Sequence, residues 1–208
     1  EDGDQAVYMF TSPDGLAWTK GAKVYDVSAD TPLETELVFV PSGKLLALVR
    51  TDGDNDHLMA NVAPIKTKVC WASPPYSTFD CPTQIDGQRL DGPLAFYWNS
   101  RLFVVARRQI LDPTRYRKRT ALFELTGALD GGDVGITWWG DLPSAGDTSY
   151  AGYAMIDATH AIVSWYSGDV VEDLDWLPSM LGPTNIWLGT IDFSTLVPGT
   201  APAGGPPF

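Results

Sequence analysis

The sequence has 208 residues, long enough for one sizeable domain, and a net charge of −12 at pH 7. So acidic a surface repels nucleic acid and anionic lipid, and neither is an expected partner. Aromatic residues make up 12% of the chain, with eight Trp, alongside twenty Gly and sixteen Pro. Many rings and many turn formers favour an all-β protein, and no amphipathic segment of helical period exceeds about three turns. No apolar run approaches the roughly 18 residues of a membrane span. The chain opens abruptly at Glu1 without a signal peptide, which reads as a processed end or a fragment.

Strand-like runs follow one another along the chain. Ala6 to Thr11 is the first. Leu37 to Val40 and Leu45 to Arg50 form a hairpin through Pro41-Ser42-Gly43-Lys44. His57 to Val62 and Lys66 to Trp71 come next, then a hairpin of Leu94 to Trp98 and Arg101 to Ala106 around Asn99-Ser100. Thr120 to Leu125, Ile136 to Trp139, Tyr153 to Ile156, Ala161 to Tyr166 and Ile186 to Ile191 close the series. Grouped by hairpin, they give a partial sheet to residue 20 and units near 35–71, 92–140 and 149–193. A repeat of about 45 to 55 residues is that of four-stranded propeller blades, about three and a half of them here. A sandwich with irregular loops is the alternative. The partial propeller is expected over residues 1–196, and residues 197–208, rich in Pro and Gly and uncharged, read as a flexible tail. An unclosed ring leaves an apolar blade face and unpaired edges, so missing N-terminal blades or another copy of the chain are expected against it.

Cys70 and Cys81 flank a loop that could return on itself. A disulfide there implies an oxidising compartment, hence a secreted, extracellular or periplasmic protein; two reduced core cysteines are the alternative. Six of the fourteen basic residues are Arg107, Arg108, Arg115, Arg117, Lys118 and Arg119, either a solvated hairpin or a local anion site. Asp52, Asp54 and Asp56 have the first spacings of a calcium loop, but His57 stands where Gly is required and Ala63 where Glu is. A solvated acidic turn fits better. His57 and His160 are isolated and make no zinc pattern. No metal or cofactor is expected.

Several short motifs point to one family. Ser12-Pro13-Asp14-Gly15-Leu16-Ala17-Trp18 resembles an Asp box, Ser-x-Asp-x-Gly-x-x-Trp, with one residue missing between Asp and Gly. In that turn the Asp binds its own backbone and the Trp packs beneath. Glu36 and Arg50 bracket a hairpin, and an antiparallel return brings both to the same rim of the sheet, as a catalytic pair or a surface ion pair. Arg119-Thr-Ala-Leu-Phe is a further arginine-bearing strand, and Tyr150 follows the turn Ser144-Ala-Gly-Asp147 and opens the last unit. Taken in the order Glu, Arg, Arg, Tyr, residues from about 8 to 193 resemble the C-terminal part of a sialidase-like (BNR, Asp-box) β-propeller.

The resemblance implies an exo-sialidase-like, retaining glycoside hydrolase acting on terminal acidic sugars. Tyr150 would be the nucleophile. A phenol with a pKa near 10 is a poor nucleophile at neutral pH, so a carboxylate must take its proton, and Glu36 is the candidate. A neutral phenol suits an anionic sugar, and sialidases depart in this way from the two-carboxylate rule. Arg50 and Arg119 would clamp the substrate carboxylate with their planar forks. Arg107 and Arg108 compete with Arg119 for that role, and Asp147 is a further substrate-binding candidate. The family's first arginine and its acid/base Asp lie in N-terminal blades without counterpart here, so no acid/base residue is assigned. A non-catalytic carbohydrate-binding or scaffold propeller is the alternative, with a glycan or sialoside as ligand and Tyr150 as a structural side chain.

Overall fold

The structure is a computed structural model that describes residues 5–53, 66–112, 115–127 and 131–199. Among them the protein is all-β, with four antiparallel sheets in chain order, none of them closed. The first sheet pairs β1 (Val7–Thr11) with β2 (Thr19–Tyr25). The second is β3 (Pro32–Phe39), β4 (Leu45–Thr51), β5 (Lys66–Ala72) and β6 (Asp80–Asp86). The third is β7 (Asp91–Trp98), β8 (Arg101–Asp112), β9 (Arg115–Gly127) and β10 (Val134–Asp141). The fourth is β11 (Thr148–Met155), β12 (His160–Ser167) and β13 (Asn185–Asp192), with the short helix α1 (Trp176–Met180) between its last two strands. Within each sheet every strand pairs with the next in sequence. Among the described residues no helix is long and apolar enough to cross a membrane.

The sheets stack face to face, and the sequence explains why. β4 reads Leu-Leu-Ala-Leu-Val without a break because both of its faces are covered. Leu46 and Leu48 pack with Val104 and Phe123 of the third sheet, while Ala47 and Val49 pack with Val24 and Tyr25 of the first. β8 repeats the pattern: Leu102 and Val104 face the second sheet, Phe103 and Val105 the fourth. Each of the buried Leu, Val and Phe side chains contributes about 1.5–3 kcal/mol by leaving water. β12 differs. Ala161, Val163 and Trp165 face the third sheet, whereas Ile162 points away, on the same face as Ile186 and Leu188, which are 76% and 68% exposed. The outer face of the fourth sheet is therefore open and apolar.

Several sequence expectations are corrected. β2 and β6 had no strand signal. Both are edge strands, with Gly21 or Pro82 inside them and largely solvated side chains, features an edge tolerates and a central strand does not. β3 begins at Pro32 rather than Leu37, and β11 at Thr148 rather than Tyr153. The run His57 to Val62 and the tail from Thr200 lie outside the described residues, as do Asp54, Asp56 and His57 of the acidic turn. The Ser12–Trp18 turn does use Asp14 as its staple: Oδ1 accepts the N–H groups of Leu16 and Ala17 at 2.8 and 2.9 Å. Trp18 is 62% exposed, and its indole N–H donates to the Gly15 carbonyl at 3.2 Å, which ties the ring to the turn without burying it. Cys70 and Cys81 form the disulfide, which joins β5 to β6.

Candidate functional site

The leading strands of three sheets, β3, β7 and β11, lie beside one another. Antiparallel pairing brings the starts of β3, β7 and β11 to the same rim as the end of β4 and the second half of β8. Polar residues collect there. Glu34 comes from β3, Arg50 and Asp52 from the end of β4, Arg89 and Asp91 from the entry to β7, Arg107 from β8, Lys118 from β9, and Asp147 and Tyr150 from the entry to β11.

Tyr150 is the exposed member, at 57%. Its phenol donates to Glu34 Oε1 at 2.6 Å. Its ring stacks on Tyr166 at 6.0 Å between centroids. Its backbone is left-handed, φ 46°, a costly conformation for an aromatic residue that tends to mark functional positions. The β11–β12 ladder shifts register between Ser149 and Gly152, and a bulge of this kind re-aims a side chain. Partial burial raises the Tyr150 phenol to about 12, reinforced by the hydrogen bond to Glu34 and its charge, while Arg107 and Arg50 pull the other way.

The carboxylate beside Tyr150 is thus Glu34, and not Glu36 as the sequence reading had it. Register is the reason. Thr35 pairs with Val49 and Glu36 with Leu48, so Glu36 sits down the ladder from Arg50 while Glu34 comes level with it. Arg50 Nη1 donates to both Glu34 oxygens at 2.8 and 2.7 Å, and Nε and Nη2 donate to Asp52 at 2.7 and 2.8 Å. Glu36 instead accepts the Ala95 N–H at 3.2 Å, tying β3 to β7, and burial pushes its carboxyl up.

Below this pair lies a buried anion. Asp91 is fully buried and accepts from Arg89 Nε at 2.7 Å, Gln109 Nε2 at 2.7 Å and Arg107 Nε at 3.2 Å. Arg50 Nε lies 3.2 Å away and Lys118 Nζ 3.7 Å. Burial alone would push this carboxyl up, but Arg89, Arg107, Arg50 and Lys118 outweigh it and hold it far below the usual carboxylate range. Lys118 is itself fully buried, its ammonium 3.8 Å from the centroid of the Trp176 ring. Burial and the charge of Arg107 lower its pKa to about 6 against the pull of Asp91.

The other sequence candidates divide between this rim and elsewhere. Arg107 belongs here; its Nη1 donates to Asp147 at 3.1 Å, and Asp147 also accepts the Trp176 indole N–H at 2.9 Å. Arg108, next along β8, turns to the opposite face and forks onto Asp141 at 2.7 Å. Arg119 reaches Asp173 at 2.7 Å, together with Arg115 and Arg117. The basic run is therefore divided instead of forming one anion site: Arg115, Arg117 and Arg119 meet the segment before α1, Arg107 and Lys118 lie by Asp91, and Arg108 meets Asp141. Glu34, Arg89 and Asp91 carry no site expectation from the sequence, and Lys118 enters only as one of the six clustered basic residues. For Glu34 a signal existed in the spacing Glu34-x-Glu36, which offered two carboxylates to one face. Arg89 and Asp91 are neighbours that bond each other, but their other partners, Arg50, Arg107, Gln109 and Lys118, are distant in sequence and left no local signal.

No family model matches the chain, and no curated protein does. Among solved structures it is similar to a protein of unknown function from Dyadobacter fermentans DSM 18053, with a TM-score of 0.53 and 18% identity. The alignment covers 88% of this chain and 44% of that one, so the chain spans less than half the length of the structure it resembles. The likeness is one of fold.

Proposed function

We propose that this chain carries the nucleophile half of a retaining glycoside hydrolase of the exo-sialidase type, with Tyr150 as nucleophile and Glu34 as its base. The observation that carries this reading is the 2.6 Å bond from the Tyr150 phenol to Glu34, on a tyrosine exposed at the rim. With a phenol at about 12, Tyr150 does not wait as phenolate at neutral pH. Its proton passes to Glu34 as the phenol oxygen attacks the anomeric carbon and the bond to the aglycone oxygen breaks, a phenol-type aglycone such as that of a fluorogenic sialoside leaving as its anion, so charge on the Tyr150 oxygen develops only in the transition state. Arg50 grips Glu34 with one nitrogen by both oxygens and fixes its lone pairs toward the phenol. The charges of Arg50 and Arg107 beside Tyr150 favour an acidic sugar over a neutral one. A terminal sialoside is the substrate class this reading takes.

The arrangement behind it is read as a propeller in which β3, β7 and β11 are the inner strands. On that reading further blades, or a second copy of the chain, cover Ile162, Ile186 and Leu188. The Cys70–Cys81 disulfide supports an exported protein. A second reading, a non-catalytic glycan-binding rim, draws on a specific observation: Arg50 and Arg107 already face internal carboxylates. Turnover of a fluorogenic sialoside separates the two. The hydrolase reading expects Tyr150→Phe to fall to background and Glu34→Gln to lose about 10²- to 10⁴-fold in kcat. Glycan binding that persists with no turnover, and no change in Tyr150→Phe, selects the binding reading.

A further inference from the structure

At the entry to β7 the backbone takes a left-handed turn at Gly92, φ 54°, which glycine adopts without a Cβ penalty. A Cβ on Gly92 would stand 2.5 Å from Ser149 Oγ and 3.1 Å from both Cδ1 and Cε1 of Tyr150. The phenol ring thus rests on the bare backbone of residue 92. The preceding residue holds the rest of the site. The Asp91 carboxylate receives Arg107 and lies beside Arg50, and its backbone carbonyl accepts the Ser149 hydroxyl at 3.1 Å.

We propose that the Asp91–Gly92 step is the positioning element of this site: Gly92 seats the Tyr150 ring against Glu34, and Asp91 fixes the guanidinium groups that flank it. Both act through Tyr150 and the arginines. The catalytic consequence rests on the hydrolase reading, but the seating of Tyr150 does not. The sequence of the step fits both tasks. A larger residue at 92 would meet the ring, and an uncharged one at 91 would leave Arg107 and Arg89 without their shared counter-ion.

The test uses the full chain labelled with tyrosine carrying ¹³C at Cζ, the Tyr150 resonance being identified by its loss in Tyr150→Phe. In Gly92→Ala at pH 7 that resonance is expected to move to the position of a phenol bonded only to water. With 4-methylumbelliferyl sialoside as probe, kcat falls at least about tenfold at near-constant KM, the signature of lost positioning rather than lost binding. A folded Gly92→Ala protein whose Tyr150 resonance stays in place overturns the proposal. Should Gly92→Ala not fold, a Ser149→Ala background removes the nearer clash, and there the unfolding cost of Gly92→Ala is compared with and without Tyr150→Ala. A smaller cost once the ring is gone supports the seating, and an equal cost overturns it. Absence of sialoside turnover in the parent protein strikes the hydrolase reading alone, because the resonance and the stability comparison are read regardless.

Discussion

Two clusters in this molecule use the same ingredients, arginine and aspartate, in opposite settings. Around Asp91, the side chains of Arg50, Arg89, Arg107 and Lys118 are 7%, 2%, 5% and 0% exposed. Around Asp173, those of Arg115, Arg117 and Arg119 are 38%, 26% and 17% exposed. Water screens the second cluster, so its ion pairs tie down the segment before α1 and do little more. The first has no water to fall back on. The arginine and carboxylate charges persist only because of one another, and that interdependence holds the rim residues in one arrangement.

The largest expected effect follows from that interdependence. Asp91→Asn keeps the shape but strands several cations, and should lower unfolding free energy by about 3–5 kcal/mol in a urea titration. A loss below about 1 kcal/mol would mean that the buried cluster behaves like the surface one.

Lys118 sharpens the comparison from the other side. Its folded pKa of about 6 lies below its ordinary value of 10.5. Between those values the unfolded chain binds a proton that the folded chain does not, so stability rises with pH across this window, by up to about 1 kcal/mol per pH unit. Below pH 6 both forms are protonated and the penalty is complete. Lys118→Met should remove the rise between pH 6 and 9; an unchanged slope would place the effect on another group.

The smallest change is expected at the surface. Asp173→Asn should cost at most about 1 kcal/mol, and the difference from the parent should shrink in 0.5 M salt. A cost as large as that of Asp91→Asn would erase the distinction between the two clusters.

The sequence carried the fold class through its central strands. Leu45 to Val49 and Leu102 to Ala106 are apolar on every residue, and such runs, cut by turns, read as strands covered on both faces. The edge strands β2 and β6 were illegible because solvent on one side relaxes their composition. In the site, Tyr150 was visible by its place after the Ser144–Asp147 turn. Its partner was not, because Glu34 and Glu36 are equivalent until the ladder register of β3 on β4 is known. Asp91 was the hardest residue to find. Nothing near it in sequence announces that Arg50, Arg107, Gln109 and Lys118 converge on it, since tertiary stacking alone brings them together.

The central claim is that Tyr150, with Glu34 as base, attacks an anomeric carbon. A sialosyl fluoride bearing a second fluorine on the neighbouring carbon tests it directly. Attack forms the bond from the Tyr150 oxygen to the anomeric carbon, breaks the bond to fluorine, and releases fluoride while Glu34 takes the phenol proton. Fluoride leaves without a general acid, so the half-reaction needs only groups this chain contains, and the second fluorine slows release of the adduct by destabilising the oxocarbenium-like transition state. Peptide mass spectrometry of the treated protein is predicted to find the sugar on Tyr150, and none in Glu34→Gln over the same interval. Unmodified Tyr150 after prolonged treatment, or an adduct on another residue, would contradict the account.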